Sequence, residues 1–410
     1  MGSRAAFCLL FSLLAAPAAA QTLLVLPFEP QASDPRYDWL GEGLAQLTAE
    51  RLSGPGRATL SREDWVAALE RLGLPAGIQP SRATMLRVAE ELEADFVLFG
   101  RYRSDGATLH ITAQALRRDP AGLSPAFEAS GPLASLMDTH APLAAALLGF
   151  VLEAEPPLAA SLPRLRLDAF ENYIRGILAA DPGQKLRLLR EATRAEPAWM
   201  LPVAALGRAY FAAQDCENAL IWLSRVPPAH DRGYEAGFLS GVCHLLRNDL
   251  ARAESAFLAL REMAPDELPP ALLNNLGVVR AREGRWAEAA ALWSEASEAE
   301  LDEPDFWFNR ALGLVLTGDP AAAVGPLNDV LARRPADRAA RALLVFALER
   351  SGRAAEAASE REAAGEPLPK LAEAELAPLA RVQSRLGAAP LRRVREPEAA
   401  LAGAREEPRR

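Results

Sequence analysis

Apolar and small residues recur in two columns along the second half of the chain. The pairs Leu206-Gly207, Ser240-Gly241, Leu276-Gly277, Arg310-Ala311 and Leu344-Val345 follow one another at 34, 36, 34 and 34 residues, and an alanine stands twelve positions after each (Ala219, Ala253, Ala289, Ala323, Ala357). Two columns in phase at a period near 34 predict stacked helical hairpins, none of which can bury its apolar face alone, so the fold grows by stacking and presents a long concave surface. Small residues mark where the two helices of a hairpin approach closely, and bulky ones fill the next gap. Five regular hairpins are expected to begin near Met200, Tyr234, Pro270, Pro304 and Arg338. A first, irregular one opens at Asp168 with Leu189, Ala192 and Pro197 behind it, giving about six hairpins over residues 167–365. Leu371–Leu386 reads as a capping helix within residues 366–390, and the segment 391–410, rich in Arg, Glu, Ala and Pro, is expected to be disordered.

The pattern before residue 153 is different. Thr22–Phe28 is a short apolar run that reads as a buried strand. Trp39–Leu52, Ser61–Leu72 and Ser81–Leu92 carry apolar residues at helical spacing, the last with Ser81 as N-cap. Asp95–Arg103 and Ala107–Ala115 then predict a hairpin across Ser104-Asp105-Gly106, with Leu109, Ile111 and Ala113 alternating against His110, Thr112 and Gln114. A third strand near Phe127 and a helix over about Leu133–Leu152 complete an α/β domain spanning residues 21–153. Residues 154–166 form a proline-bearing linker, stiff enough to space the two parts.

Met1–Ala20 holds one positive charge, an apolar run and a small-residue ending, the layout of a secretory signal cleaved after Ala20. Cys8 lies inside that run, which is the wrong place for a lipidated cysteine. The mature chain is therefore expected in the periplasm or outside the cell, with no later apolar stretch long enough to be a transmembrane segment. A net charge of -9 and a pI near 5.3 argue against a general nucleic-acid binder. Cys216 and Cys243 fall at the same end of adjacent antiparallel helices, so a disulfide is allowed in an exported chain; two buried thiols are the alternative.

Val25–Phe28, Trp39–Leu44, Ala89–Gly100 and Ile111–Ala115 resemble the amino-terminal domain of TolB and TolB-like proteins, which implies a non-enzymatic α/β module. No propeller-blade repeats follow. The hairpins resemble tetratricopeptide repeats (TPR) through Leu206-Gly207, Tyr210, Ala219 and Leu223; Gly241, Ala253, Phe257 and Pro265; Leu276-Gly277, Ala289, Trp293 and Ala296; and Trp307, Ala311, Ala323, Leu327 and Pro335. The last repeat has Arg361 where an aromatic residue belongs, as terminal repeats often do. The fold class implied is an α/β N-terminal domain followed by an all-α TPR superhelix, an α-solenoid. Carried over from the family, the concave face falls at Arg208, Phe211, Glu235, Phe238, Val242, Leu245, Asn274, Val278, Arg282, Phe308 and Leu312. Aromatic anchors flanked by arginines suit an extended or helical peptide. Packing of Phe238 and Phe308 inside the superhelix is the competing reading. Phe238 and Val242 also stand where carboxylate-clamping repeats carry polar residues.

No enzyme motif is present in the sequence. Lys185 follows Gln184 and Lys370 follows Pro369, so neither closes a P-loop, and there is no Gly-x-Ser-x-Gly, His-Glu-x-x-His or Cys-x-x-Cys. His110, His140, His230 and His244 are scattered, with His244 at a repeat position usually packed in the core and His110 facing out. Gly41-Glu42-Gly43 lacks the third glycine of a dinucleotide fingerprint and reads as a helix entry. The expectation is a non-enzymatic scaffold without metal or cofactor, binding protein or peptide partners in its groove. The alternative is a periplasmic sensor or carrier whose α/β domain takes a small molecule or glycan.

Overall fold

The computed structural model describes residues 21–31, 34–54, 56–60, 62–75, 80–153, 165–265 and 268–386. The expected export signal, residues 154–164 of the expected linker and the expected disordered tail lie outside the described residues.

In the first strand, β1 (Gln21–Val25), the apolar residues Leu23, Leu24 and Val25 follow one another because both faces are covered. Leu23 joins one core layer and Leu24 the other. There follow β2 (Glu29–Pro30), α1 (Trp39–Leu52), β3 (Arg57–Thr59), α2 (Arg62–Arg71), α3 (Arg82–Glu91), β4 (Phe96–Ser104), β5 (Thr108–Arg117), β6 (Gly122–Leu123), β7 (Phe127–Pro132) and α4 (Leu136–Leu152). The sheet runs β3-β1-β4-β5-β6, with β7 also along β5 and β2 along β4. β1 is parallel to β3 and β4, and the β4–β5 pair is antiparallel. Its turn is closed by the Asp105 carboxylate, which accepts from the amides of Ala107 (2.9 Å) and Thr108 (2.7 Å), beside Gly106 at φ +91°. Trp65, Leu69, Met85 and Val88 of α2 and α3 cover one face. Leu40 and Leu44 of α1 and Leu143 and Leu147 of α4 cover the other. Ser81 caps α3 by accepting from the Thr84 amide at 3.2 Å.

One expectation needs correcting here. The helical stretch Leu133–Leu152, 20 residues at mean hydropathy 1.4, is long and apolar enough to cross a bilayer. Asp138 and His140 interrupt the run when it is read residue by residue, but the average stays apolar. Half of the stretch is buried, packed on β5, β7 and α1.

Among the described residues, twelve helices pair into six hairpins: α5 (Leu167–Leu178) with α6 (Pro182–Ala195), α7 (Met200–Ala212) with α8 (Cys216–Leu223), and α9 (Gly233–Leu246) with α10 (Leu250–Met263). Then come α11 (Pro270–Arg282) with α12 (Trp286–Ala299), α13 (Pro304–Leu316) with α14 (Pro320–Arg333), and α15 (Arg338–Arg350) with α16 (Ala354–Ala363). The second column is buried throughout: Ala219, Ala253, Ala289, Ala323 and Ala357 expose nothing. The glycines of the first column are small because the partner helix drives a large side chain against each of them, Leu223 on Gly207, Phe257 on Gly241 and Trp293 on Gly277. A Cβ on Gly277 would lie 2.5 Å from Nε1 of Trp293. Gly277→Val is expected to cost about 1–3 kcal/mol through overpacking, read as a lower urea midpoint; an unchanged midpoint would refute this close approach.

Seven residues after each pair stands a left-handed residue, Gln214, Asn248, Gly284, Gly318 or Gly352, with φ of 60, 59, 78, 91 and 75°. It turns the chain into the second helix, and Asp215, Asp249 and Asp319 cap three of those helices through their carboxylates. Cys216 and Cys243 are joined as a disulfide between α8 and α9, with Cα atoms 5.2 Å apart.

The two parts of the chain share one continuous core. Trp39 of α1 meets Phe170 of α5 edge-on (centroids 6.1 Å apart), Phe170 meets Trp199 (5.9 Å), and Trp199 meets Tyr173 (4.9 Å). The guanidinium of Arg175 donates to the carbonyl of Arg36 across the same seam.

The expected capping helix over 366–390 is not formed in its described part, residues 366–386. Two short 3-10 turns, Glu373–Glu375 and Ala377–Leu379, are set in otherwise extended backbone. Pro367, Pro369 and Pro378 remove amides and restrict the residues before them. The apolar spacing Leu371, Leu376, Leu379, Val382 and Leu386 serves another purpose, described next.

Candidate partner-binding groove

In an open solenoid the concave stripe of each first helix faces water. In this chain α11 is buried at every position from Ala271 to Ala281, two asparagines included. Asparagine is a poor helix-interior residue, because its amide competes for backbone groups, and a buried one must find partners. Asn274, Asn275 and Asn309 expose none of their surface, and the partner they find is the extended segment at the end of the described chain.

Asn309 on α13 binds Arg381 at both backbone groups: its Oδ1 accepts from the Arg381 amide (2.8 Å) and its Nδ2 donates to the Arg381 carbonyl (2.8 Å). Asn275 on α11 does the same to Gln383, two residues on, again at 2.8 Å each way. Asn274 links the pair, with its Nδ2 donating to the Arg381 carbonyl (2.9 Å) and to Asn275 Oδ1 (3.2 Å) while its Oδ1 accepts from Asn309 (2.7 Å). Trp293 Nε1 holds the backbone beneath by donating to the Asn274 carbonyl at 3.1 Å. The asparagines thus act as the neighbouring strand of a ladder, pairing N–H and C=O of alternate residues. Such pairing reads an extended backbone whatever its side chains.

One side chain is read as well. The Arg381 guanidinium lies 3.7 Å over the Phe308 ring and bonds Asp305 Oδ1 (2.7 Å) and both oxygens of Asp337 (2.8 and 2.7 Å). A planar cation fits between a fork of carboxylate oxygens and an aromatic face. Leu376 and Ala380 complete the seat as buried residues.

The residues expected to line the concave face are distributed unevenly. Asn274 and Phe308 meet the docked segment. Phe238 is wholly buried and packs on Phe257 at 6.0 Å, inside its own hairpin, so a charge placed there would enter the core. Val242, Leu245, Val278 and Leu312 are buried too. Arg282 spends its guanidinium on the Leu245 carbonyl (2.9 Å). Arg208 pairs with Glu235 (3.2 Å), and Phe211 packs half-buried against the core. Asn275, Asn309, Asp305 and Asp337 were not anticipated. Asn275 and Asn309 stand 34 residues apart, in the same column of consecutive first helices, and that coincidence is the signal that marks them.

A cavity of about 410 Å³ opens where α1 faces α5 and α7, lined in part by Glu42, Glu50, Arg62, Trp65, Lys185 and Arg208. Burial pushes the Glu50 carboxyl up from 4.5 to about 7, against the opposing effects of the Gln46 hydrogen bond and the charge of Arg232. His110 is exposed beside Ser130 (3.0 Å), while His244, expected in the packed core, is only half-buried.

No family profile and no curated protein matches the chain. Solved structures do. MamA of strain AMB-1 is 20% identical over 40% of this chain and 96% of its own, with a TM-score of 0.36. YrrB, described as a TPR protein with an unusual peptide-binding site, is 14% identical over 43% of this chain and 90% of its own, with a TM-score of 0.37. A tetratricopeptide repeat protein from Parabacteroides merdae ATCC 43184 is 15% identical over 50% of this chain and 80% of its own, with a TM-score of 0.41. With six helical hairpins among the described residues, the second half of the chain is an α-solenoid. A mixed sheet with helices on both faces precedes it.

Proposed function

We propose that this chain is an exported, non-enzymatic scaffold that holds extended segments of partner proteins in the concave face of its repeats. The observation that carries the reading is the asparagine ladder of Asn275 and Asn309, which pairs both backbone groups of alternate residues in an extended strand. Main-chain pairing supplies affinity and the Asp305–Asp337–Phe308 pocket supplies selection. Residues 1–20 support export, and the resemblance of the amino-terminal part to TolB-like domains supports a place in the cell envelope, in assembly or trafficking.

Affinity capture from an envelope fraction tests this, using the chain from Gln21 onward and a free peptide of sequence 377–386 added at about 1 mM, the effective concentration of a short tether. Partners released by that peptide, and not by its Arg381→Glu form, are expected. Capture that the peptide leaves untouched would refute the groove as the docking surface.

A second reading, a small-molecule or glycan carrier, draws on the cavity at α1 and on the titratable Glu50 within it. A ligand that raises the melting temperature of the native chain but not of Glu50→Gln would favour it.

A further inference from the structure

The groove is already full. Residues 371–386 come back from α16 along the first helices in reverse order: Glu373 pairs with Arg350 on α15 (2.5 Å), Arg381 sits between α13 and α15, and Gln383 reaches α11. Ahead of them, Arg338 bonds Glu366 (3.0 Å) and the Pro367 carbonyl (2.8 Å), which fixes where the chain turns back. The segment's only regular structure among the described residues is the two short 3-10 turns. What holds it is a set of groups whose geometry suits a ligand: two asparagines spaced for residues i and i+2, and a forked carboxylate pocket under an arginine.

We infer that residues 371–386 are a resident competitor for the groove, and that the partner is an extended segment of the same chemistry: one arginine between small or apolar residues, with an unblocked amide and carbonyl at the arginine and two residues after it. This rests on the groove being the docking surface and adds what fills it and what closes it. The occupant's chemistry follows from the pocket. Two carboxylates and a ring face at 3.7 Å select a planar cation over an acid or an amide, and the apolar wells that take Leu376 and Ala380 select small or aliphatic neighbours. Arg381 keeps only 17% of its side-chain surface exposed, and Asp337 12%, so the pair is excluded from most of the water that would screen it.

Tethering decides how strongly the segment competes. Seven residues separate the end of α16 from Leu371. A tether that short gives an effective concentration in the millimolar range, so a free segment of equal intrinsic affinity in the range of about 10–100 μM should bind the intact chain ~10- to 100-fold more weakly than an opened one.

Fluorescence anisotropy of a labelled 371–386 peptide on full-length chains reads this ratio directly. Arg381→Glu sets a third carboxylate beside Asp305 and Asp337 and should release the tethered segment. The peptide, which keeps Arg381, is expected to bind the Arg381→Glu chain at least ~10-fold more tightly than the native chain. The same peptide with Arg381→Glu should bind neither. Arg381→Ala, with circular dichroism and urea unfolding to show an intact fold, serves as the milder opening if the charge reversal disturbs the solenoid, and it should give the same order.

Equal affinity for native and opened chains would overturn the competition. No binding to a folded, opened chain would overturn the segment as a ligand analogue, while partner release by the 377–386 peptide would still stand or fall separately as the test of the groove. A concentration-dependent dimer in sedimentation, dissolved by the free peptide, would place the segment in the groove of a second copy and overturn its placement in cis.

Discussion

Urea unfolding of a His140→Leu chain is expected to lose stability as pH rises from 4.5 to about 7, and a Glu50→Gln chain is expected to gain it between about 3 and 6.5. His140 is wholly buried on α4, and burial, followed by the charge of Arg51, holds its imidazole down at about 3. Its Nε2 meets Thr48 Oγ1 at 2.9 Å; the Thr48 hydroxyl hydrogen is committed to the Leu44 carbonyl (2.7 Å), so Nε2 is the donor. Nδ1 has no partner, and protonating it would bury a bare cation. The unfolded state takes up that proton below pH 6.5 and the folded state does not until about 3, so this group's stability is present above 6.5 and lost on acidification. Glu50 works in the other direction. Its folded carboxyl keeps a proton up to about 7 while the unfolded one releases it near 4.5, so its stability is present below 4.5 and lost as pH rises. At ~1.4 kcal/mol for each pH unit, the ceilings are about 5 kcal/mol for His140 and about 3 kcal/mol for Glu50. Between 4.5 and 6.5 the two slopes cancel in the native chain, and either substitution uncovers the other. Variant and native curves that stay parallel across that interval would refute the pairing.

Reduction of the Cys216–Cys243 bridge is expected to lower stability by about 3.5 kcal/mol, the chain-entropy value for a loop of about 27 residues. The sequence separation is 27, and the loop holds all of α8, at 8 residues the shortest second helix of the solenoid, together with the Pro227-Pro228 connection to α9. A short helix offers little surface to its neighbour, so closing this loop covalently matters more here than it would at the longer hairpins. Cys216→Ala/Cys243→Ala should fold, with a lower urea midpoint that reductant no longer changes. A native midpoint insensitive to reductant would refute the contribution. A reducing compartment would remove this support.

The repeat frame was legible because close helix approach leaves a mark in composition: Gly277 under Trp293 and Ala289 at zero exposure can be nothing larger. The β4–β5 hairpin was legible for the same kind of reason, since Asp105-Gly106 must turn and Leu109, Ile111 and Ala113 must face inward. The groove was not. Helical spacing shows which faces are apolar but not what covers them, and α11, enclosed on every side, carries no polar stripe to mark an open surface. Phe238 and Phe308 occupy equivalent positions in the frame of the small-residue pairs, three residues before Gly241 and Ala311, yet one packs into its hairpin and the other lies under Arg381. The segment after α16 has helical spacing too, but its prolines and the asparagines opposite it make an extended path the better hydrogen-bonded one.

The aromatic seam of Trp39, Phe170, Tyr173 and Trp199 acts like the wall mount of a cantilever. It grips the solenoid at its first hairpin, while the returning segment straps the last three. A coil held in this way resists winding at its root and yields at its tip. Lifting the strap, as Arg381→Glu would, is expected to loosen the last three hairpins and to leave the seam at the root as it is.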